Sequence, residues 1–226
     1  MMIKHNLIGS LVLPVALMGL TQVQAAVPRK VPVALGDILV LPKEPRQEIL
    51  KGIGPKVFPK LVTKIFDEQA TVSQRWSAMN SLVELSPGPA TEQVIETCLK
   101  NKNWALRNAG LFAMVQLNKT KAEHWALQLL TDRSLIVRTA AVETLRNVKA
   151  VNRNRDRLWK ELENPLNYRL GKSLWIRKTL LKALSEVPVV EDLTRFQRLS
   201  KDDDDRLHPF AESAVQSIAR NVASSR

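Results

Sequence analysis

The sequence is poor in cysteine, glycine and aromatic residues. A single Cys in 226 residues excludes a disulfide framework and any zinc or iron–sulfur site that needs several cysteines. Aromatic residues make up only 5% of the chain and there are eight Gly, which disfavours a β-sandwich or β-barrel because those folds need aromatic strands and many tight turns. Hydrophobic residues reach 45%, so the chain can bury a core and is not disordered throughout.

Acidic residues are also few. The chain has 22 Asp and Glu against 34 Lys and Arg, a formal net charge of +12. An excess of this size favours acidic partners or acidic surfaces without identifying one.

The first 25 residues have the three-part order of a secretory signal peptide. A short segment carrying Lys4 is followed by an apolar run from Leu7 to Leu20, and small residues at Val23 and Ala25 precede the expected cleavage point. The alternative is an uncleaved membrane anchor, but the run is shorter than the ~20 residues that span a bilayer. We therefore expect an exported chain, periplasmic or secreted, with cleavage near Ala25. A bacterial periplasm is favoured because a single Cys does not suit a disulfide-stabilised extracellular domain.

Two further regions follow the predicted signal peptide. Residues 26–44 contain three prolines and no sustained helical period, which predicts an extended arm. Residues 45–226 have a helical pattern, with an early break at Gly52, Gly54 and Pro55. No second apolar run approaches membrane-spanning length.

A decapeptide pattern recurs through the helical region. The four clearest copies are SQRWSAMNSL (73–82), ALRNAGLFAM (105–114), IVRTAAVETL (136–145) and WIRKTLLKAL (175–184), and LHPFAESAV (207–215) is a weaker fifth. The basic positions of the first four copies form an arginine ladder: Arg75, Arg107, Arg138 and Arg177. His208 takes the equivalent position in the fifth copy, and the successive spacings are 32, 31, 39 and 31 residues. A period of this size predicts stacked helical hairpins.

Each copy is amphipathic, and partner helices fit between the copies. Small residues recur where two helices must approach closely: Ala78, Gly110, Ala141 and Ala211. The partner helices are predicted near 55–67, 90–101, 121–131, 152–163 and 189–200. The long spacing of 39 is explained by an inserted loop at 163–172, and insertions in repeat proteins often serve binding.

The third copy resembles a HEAT repeat. The matching residues lie in TDRSLIVRTAAVETL (131–145) and are Asp132, Val137, Arg138, Ala140, Ala141 and Leu145. The other copies match less fully, and the short period resembles the compact subclass of the family. The resemblance covers about residues 55–222 and implies an all-α fold, an α-solenoid of about five stacked helical hairpins. It says little about function, since members of the family mostly serve as scaffolds.

The arginine ladder has two interpretations. The four guanidinium groups could bind anions along a groove. Alternatively, each could bond a turn carbonyl or an aspartate such as Asp132 and so tie neighbouring hairpins together. The resemblance favours the structural role.

A basic region at 148–185 is the best candidate for a binding surface. It holds ten Lys and Arg against three acidic residues, with Trp159, Tyr168 and Trp175 interleaved. Cations beside aromatic rings suit phosphates, anionic glycans or an acidic protein segment, whereas the alternative is a solvated face with both Trp residues in the core. The candidate partner-binding residues are Arg153, Arg155, Arg157, Lys160, Tyr168 and Lys172.

No catalytic set, cofactor motif or metal site is predicted. His124 and His208 lie in no metal-binding or nucleophile motif. The acidic run from Asp202 to Asp205 lacks the alternation and glycine of a calcium loop, so a charged cap on the last helix is favoured. Cys98 lies on an apolar helical face, which predicts a buried, inert thiol.

Three functions fit these observations. The first is an exported, non-enzymatic scaffold or adaptor that binds another protein through a solenoid surface. The second is binding of anionic cell-envelope polymers or lipid head groups through the basic 148–185 region. The third is nucleic-acid binding, since some DNA glycosylases resemble basic HEAT arrays, but export argues against it. A small-molecule substrate is not expected.

Overall fold

The chain is built from α-helices, with one two-stranded β-hairpin inserted near the C-terminal end. The structure is a computed structural model and describes residues 34–224, so the predicted signal peptide and residues 26–33 of the predicted arm lie outside the described residues. The elements are α1 (Leu35–Leu39), α2 (Lys43–Ile53), α3 (Val57–Phe66), α4 (Val72–Leu85), α5 (Pro89–Leu99), α6 (Trp104–Leu117), α7 (Lys119–Leu129), α8 (Leu135–Asn147), α9 (Arg155–Leu162), β1 (Tyr168–Arg169), β2 (Lys172–Ser173), α10 (Trp175–Ser185), α11 (Leu193–Leu199) and α12 (His208–Ser224). The all-α prediction is confirmed.

From α3 onward the helices pack in sequential pairs. The pairs are α3 with α4, α5 with α6, α7 with α8, α9 with α10, and α11 with α12. The second helices also pack on one another in chain order, α4 on α6, α6 on α8, α8 on α10 and α10 on α12. A continuous core of aliphatic side chains fills the space between the layers. None of the helices in residues 34–224 is long and apolar enough to cross a bilayer.

Local sequence sets where several of the helices begin. Thr71 and Gln74 form a reciprocal capping box at the start of α4, in which two otherwise unpaired backbone N–H groups find acceptors. Asn103 caps α6 and Asn118 caps α7 through their side-chain oxygens. At the predicted early break, Gly54 adopts a φ of 71° and ends α2, a conformation that glycine tolerates without steric cost.

The prediction of an extended arm is wrong for residues 35–39 and for the start of α2. Ile38 and Leu39 are buried, α1 packs on α4, and the Gln74 side chain donates a hydrogen bond to the Gly36 carbonyl oxygen at 3.3 Å. Pro42 stands at the N-cap of α2 and Pro45 lies in its first turn, where the missing N–H would have had no helical partner. A proline is compatible with a helix start as well as with an extended segment, which explains why the prediction of an arm fails near α2.

Close approach between α5 and α6 depends on Gly110. A Cβ atom at this position would lie 3.0 Å from Leu99 Cγ and 3.5 Å from Cys98 Cβ. Real Cβ atoms rarely approach a neighbour this closely, so a larger residue here would require the Leu99 side chain to shift by a few tenths of an ångström. The structure thus accounts for the small residue in the second copy of the repeat.

The 163–172 insertion ends in a tight β-hairpin. Tyr168 pairs with Ser173 and Arg169 with Lys172, and the two loop residues, Leu170 and Gly171, have φ values of 52° and 72°. Two successive positive φ values are typical of a type I′ turn. Glycine is common there, whereas a leucine in the left-handed region is unusual.

Cys98 is fully buried in α5, and burial raises the pKa of its thiol to about 12. Because the thiolate is the reactive form, we expect Cys98 in the folded protein to resist alkylation by iodoacetamide at pH 8 and to react only when the chain unfolds. Mass spectrometry of alkylated protein with and without urea measures this. Rapid stoichiometric labelling of the native protein would contradict the burial of Cys98.

Candidate binding site

A polar cleft lies between the inserted β-hairpin and the turn that leads to α12. Its volume is about 790 Å³. Its walls are polar and carry both signs of charge, and the lining residues are Glu163, Tyr168, Gly171, Lys172, Ser173, Arg177, Arg198, Lys201, Asp202, Asp203, Asp204 and Arg206. Two of the predicted partner-binding residues, Tyr168 and Lys172, are among them.

Arg177 forms the floor of this cleft. It is buried, and its guanidinium donates to the Leu162 carbonyl at 3.1 Å, to Ser173 Oγ at 2.9 Å and to Asp202 Oδ2 at 3.2 Å. The Tyr168 ring lies over the same guanidinium, with 4.6 Å between the ring centroid and Cζ, and burial raises the pKa of the Tyr168 hydroxyl. Each of the three guanidinium nitrogens of Arg177 thus donates to an acceptor within the chain.

Ion pairs at the rim engage most of the remaining charges. Arg198 Nη2 lies 2.8 Å from Glu163 Oε1, and Arg206 lies 2.6 Å from Asp204. The hydrogen bond from Arg206 lowers the pKa of Asp204 to about 2. Among the described lining residues, only Lys172, Lys201 and Asp203 have charged groups without an ion-pair partner. The cleft can therefore hold polar groups, but it does not form a strong anion site.

The remaining predicted partner-binding residues lie elsewhere. Arg153 and Arg155 line a second depression of about 630 Å³, beside Asp192 and Arg195. Arg157 and Lys160 are exposed on α9 and line neither cavity. The six candidates are thus divided among three places and do not form one surface.

Arg155 is not a surface cation. Only 11% of its side chain is exposed, and its Nε lies 3.2 Å from the buried carboxylate of Asp192. Arg155 also donates to the Val187 carbonyl. The expectation that Arg155 is available on the surface is therefore corrected: it joins the fourth helical pair to the fifth.

Arg153 and Arg157 are exposed but also paired. Arg153 bonds Glu123 of α7 through two nitrogens, and this hydrogen bond lowers the pKa of Glu123. Arg157 lies 2.9 Å from Glu161, one helical turn away. Of the four basic residues predicted between 153 and 160, only Lys160 lacks an ion pair with any described residue.

The arginine ladder connects consecutive helical pairs through their turns. Arg107 donates to the Asn101 and Lys102 carbonyls in the turn before its own helix and forms a bidentate ion pair with Asp132 in the next turn, both contacts at 2.7 Å. Arg138 likewise donates to the Asp132 carbonyl at 2.7 Å. In the last pair, His208 Nε2 donates to the Asp202 carbonyl at 2.6 Å.

Asn167 is a ladder partner that the sequence pattern did not reveal. It is fully buried, accepts from Arg138 Nε at 3.0 Å and donates to the Glu161 carbonyl at 2.7 Å. It occupies the place that Asp132 and Asp202 take beside Arg107 and Arg177. The insertion moves it out of the 31-residue register, so counting along the repeat could not find it.

The aromatic residues of the basic region divide between core and surface. Trp159 is buried and packs edge-on against Phe196, with 5.2 Å between the ring centroids. Trp175 is exposed, and Lys178 Nζ lies 4.4 Å from the centroid of its ring. Trp159 therefore fits the interpretation that places the tryptophans in the core. Trp175 fits the interpretation that places aromatic rings beside cations on the surface.

The two histidines of the described residues are both engaged with other groups of the chain. Within residues 34–224, no three His, Cys, Asp or Glu side chains are grouped so that they could hold a metal ion. His124 faces Gln128 at 3.0 Å, and His208 is engaged with the Asp202 carbonyl. The polar groups in the clefts mostly bond one another, an arrangement that suits binding and structural support.

Neither a protein-family model nor a curated protein matches the chain.

Proposed function

We propose that this chain is an exported, non-enzymatic HEAT-like α-solenoid that binds another protein. The supporting observation is the packing of α4, α6, α8, α10 and α12 in one row, each with its preceding partner helix. Stacked pairs of this kind present a surface that lengthens with each repeat, which suits a large partner better than a small molecule. The signal-peptide pattern of residues 1–25 supports export to the periplasm or outside the cell.

The alternative, binding of anionic envelope polymers through the 148–185 region, has less support. Arg153, Arg155, Arg157 and Arg177 are each paired with a carboxylate. Cations already paired with carboxylates attract a polyanion weakly, because their field is largely cancelled at short range. A protein partner recognised by shape and apolar contact does not depend on these four residues.

Export and protein binding can be tested with native protein from fractionated cells. We expect the intact mass in the periplasmic or secreted fraction to correspond to a chain beginning near Ala26. Crosslinking in the same cells is expected to identify a specific partner protein, and the complex isolated without crosslinker is expected to survive washing at high salt because apolar contacts are not screened by ions. A cytoplasmic species beginning at Met1 would overturn export, and complete loss of partners in high salt would favour the polyanion alternative.

A further inference from the structure

Exposed apolar side chains recur at the same place in successive helical pairs. Trp104 begins α6, Ile136 lies in the first turn of α8, and Trp175 begins α10. Their exposed fractions are 41%, 49% and 53%. Isolated exposed apolar residues are ordinary on protein surfaces. These three instead recur near the start of successive second helices, each two or three residues before a ladder arginine.

Hydrogen bonds between turns place these helix starts along one edge. Arg133 of the turn before α8 donates to the Lys102 carbonyl in the turn before α6 at 2.9 Å. Arg138 donates to the Leu166 carbonyl of the insertion at 2.8 Å. The helices α6, α8 and α10 pack successively, so their first turns follow one another. We call this surface, formed by Trp104, Ile136, Trp175 and the inserted β-hairpin, the turn edge.

The tip of the β-hairpin adds a further apolar group to the turn edge. Leu170 is 95% exposed and has a positive φ of 52°. A non-glycine residue in this region carries local strain, which is found most often at functional positions. Asn or Gly would relieve the strain in such a turn, so an exposed leucine here is costly unless it contacts something.

The cations of the turn edge are not neutralised by the chain. Lys102, Arg169 and Lys172 are exposed, and none has an ion-pair partner within residues 34–224. Of the nearby carboxylates, those of Asp132 and Glu163 are engaged by Arg107 and Arg198, whereas Asp203, which lines the same cleft as Lys172, has no ion-pair partner among the described residues. The turn edge therefore combines apolar side chains with unpaired positive charge, which is complementary to a segment that is both acidic and apolar.

We propose that the turn edge binds an extended acidic segment of a partner protein, in which apolar side chains recur about every third residue. Packed helices lie about 8–10 Å apart, so two steps from α6 to α10 cover about 20 Å, or roughly six residues of a segment in the polyproline II conformation, which rises about 3.1 Å per residue and brings every third side chain to the same face. An apolar residue at each third position then meets Trp104, Ile136 and Trp175 in turn, while the intervening carboxylates face the cations. This inference rests on the proposed protein-binding function and adds the chemistry of the partner.

The test uses the full-length exported chain and a fluorescein-labelled ten-residue peptide, with Leu or Phe at each third position and Asp or Glu elsewhere. The variant Lys102→Glu/Arg169→Glu/Lys172→Glu is compared with Lys51→Glu/Lys56→Glu/Lys60→Glu, which changes the net charge equally at exposed lysines of α2, α3 and the turn between them. We expect the first variant to weaken binding by at least about tenfold and the second by less than about twofold. Circular dichroism checks that both are folded.

A second pair of probes separates apolar recognition from charge alone. The variant Trp104→Ser/Trp175→Ser is expected to weaken peptide binding at unchanged net charge, and a peptide with Ser at each apolar position is expected to bind more weakly to the unaltered chain. Equal binding of the two peptides, an equal effect of both charge reversals, or no measurable binding would each overturn the proposal. Tighter binding of polyphosphate than of the acidic apolar peptide would overturn it in favour of an anionic polymer.

The outcome for the turn edge can be distinguished from the outcome for the function itself. If the crosslinked partner is captured equally by the unaltered chain and by the turn-edge variant, protein binding stands and the turn edge is not the site. If the unaltered chain captures no protein, the function fails together with the inference that rests on it.

Discussion

Replacing Arg107 by Ala is expected to lower the free energy of unfolding by about 3–5 kcal/mol. Arg107 and Asp132 expose only 7% and 8% of their side chains, and both guanidinium contacts measure 2.7 Å. Removing the cation leaves the Asp132 carboxylate buried with only the Ser134 N–H, at 2.7 Å, as a hydrogen-bond donor. The Asn101 carbonyl also loses the hydrogen bond from Arg107, and the Lys102 carbonyl keeps only the one from Arg133. Urea unfolding, followed by circular dichroism, measures the loss.

Arg153 provides a matched control for Arg107. It also bonds a carboxylate of a neighbouring helical pair through two nitrogens, but it is 57% exposed. Solvent screens an exposed pair, so Arg153→Ala is expected to leave the free energy of unfolding nearly unchanged. Equal losses in the free energy of unfolding for the two substitutions would show that burial does not determine how much a ladder arginine stabilises the fold. A double variant, Arg107→Met/Asp132→Leu, is expected to recover part of the loss because no uncompensated charge stays buried.

Phe196→Ala is expected to destabilise the chain by about 3–5 kcal/mol through the cavity it leaves. Phe196 is among the largest fully buried side chains of the described residues, and its ring meets Trp159 of α9 at an interplanar angle of 65°. The substitution therefore removes both buried area and the aromatic contact that joins the fourth pair to the fifth. The near-ultraviolet circular dichroism of Trp159 is expected to weaken in the same variant.

Phe210→Ala is the control for Phe196→Ala. Phe210 lies on α12 of the same helical pair but is only half-buried, so the same atoms are removed from a less enclosed place. Its cost is expected to be about half as large or less, because solvent can fill the space. Equal unfolding midpoints for the two variants would contradict the structural distinction between them.

The repeat period of the sequence predicts most of the helices. Apolar residues on one helical face predict a helix from local spacing alone, and the partner helices predicted at 55–67 and 90–101 correspond to α3 at 57–66 and α5 at 89–99. The ladder arginines were found in the same way. Their bidentate and carbonyl contacts depend on the turns of the next pair, which a single repeat does not contain.

Other features depend on tertiary contacts that carry no local signal. Asn167 takes the place of an aspartate beside Arg138 because the insertion folds back toward α8. The sequence predicts Arg155 on the surface because its partner, Asp192, lies in the next helical pair. The helix α1 forms because Ile38 and Leu39 find a hydrophobic surface on the first pair. Trp159 and Trp175 also differ in exposure: Trp159, inside α9, is buried, whereas Trp175, which begins α10, is exposed.

The first rung of the ladder differs from the others. Asn101 lies six residues before Arg107, as Asp132 does before Arg138, but its side-chain oxygen accepts from the Asn103 backbone at 2.8 Å. Arg75, which faces this turn across a small cavity, keeps a buried Nε without a hydrogen-bond partner in the described part of the chain. No buried ion pair therefore couples the first helical pair to the second. In a linear array, neighbouring units are coupled through their shared interfaces, so this joint depends on the packing of α4 on α6, and we expect unfolding to be less cooperative across it than across a joint that contains a buried ion pair.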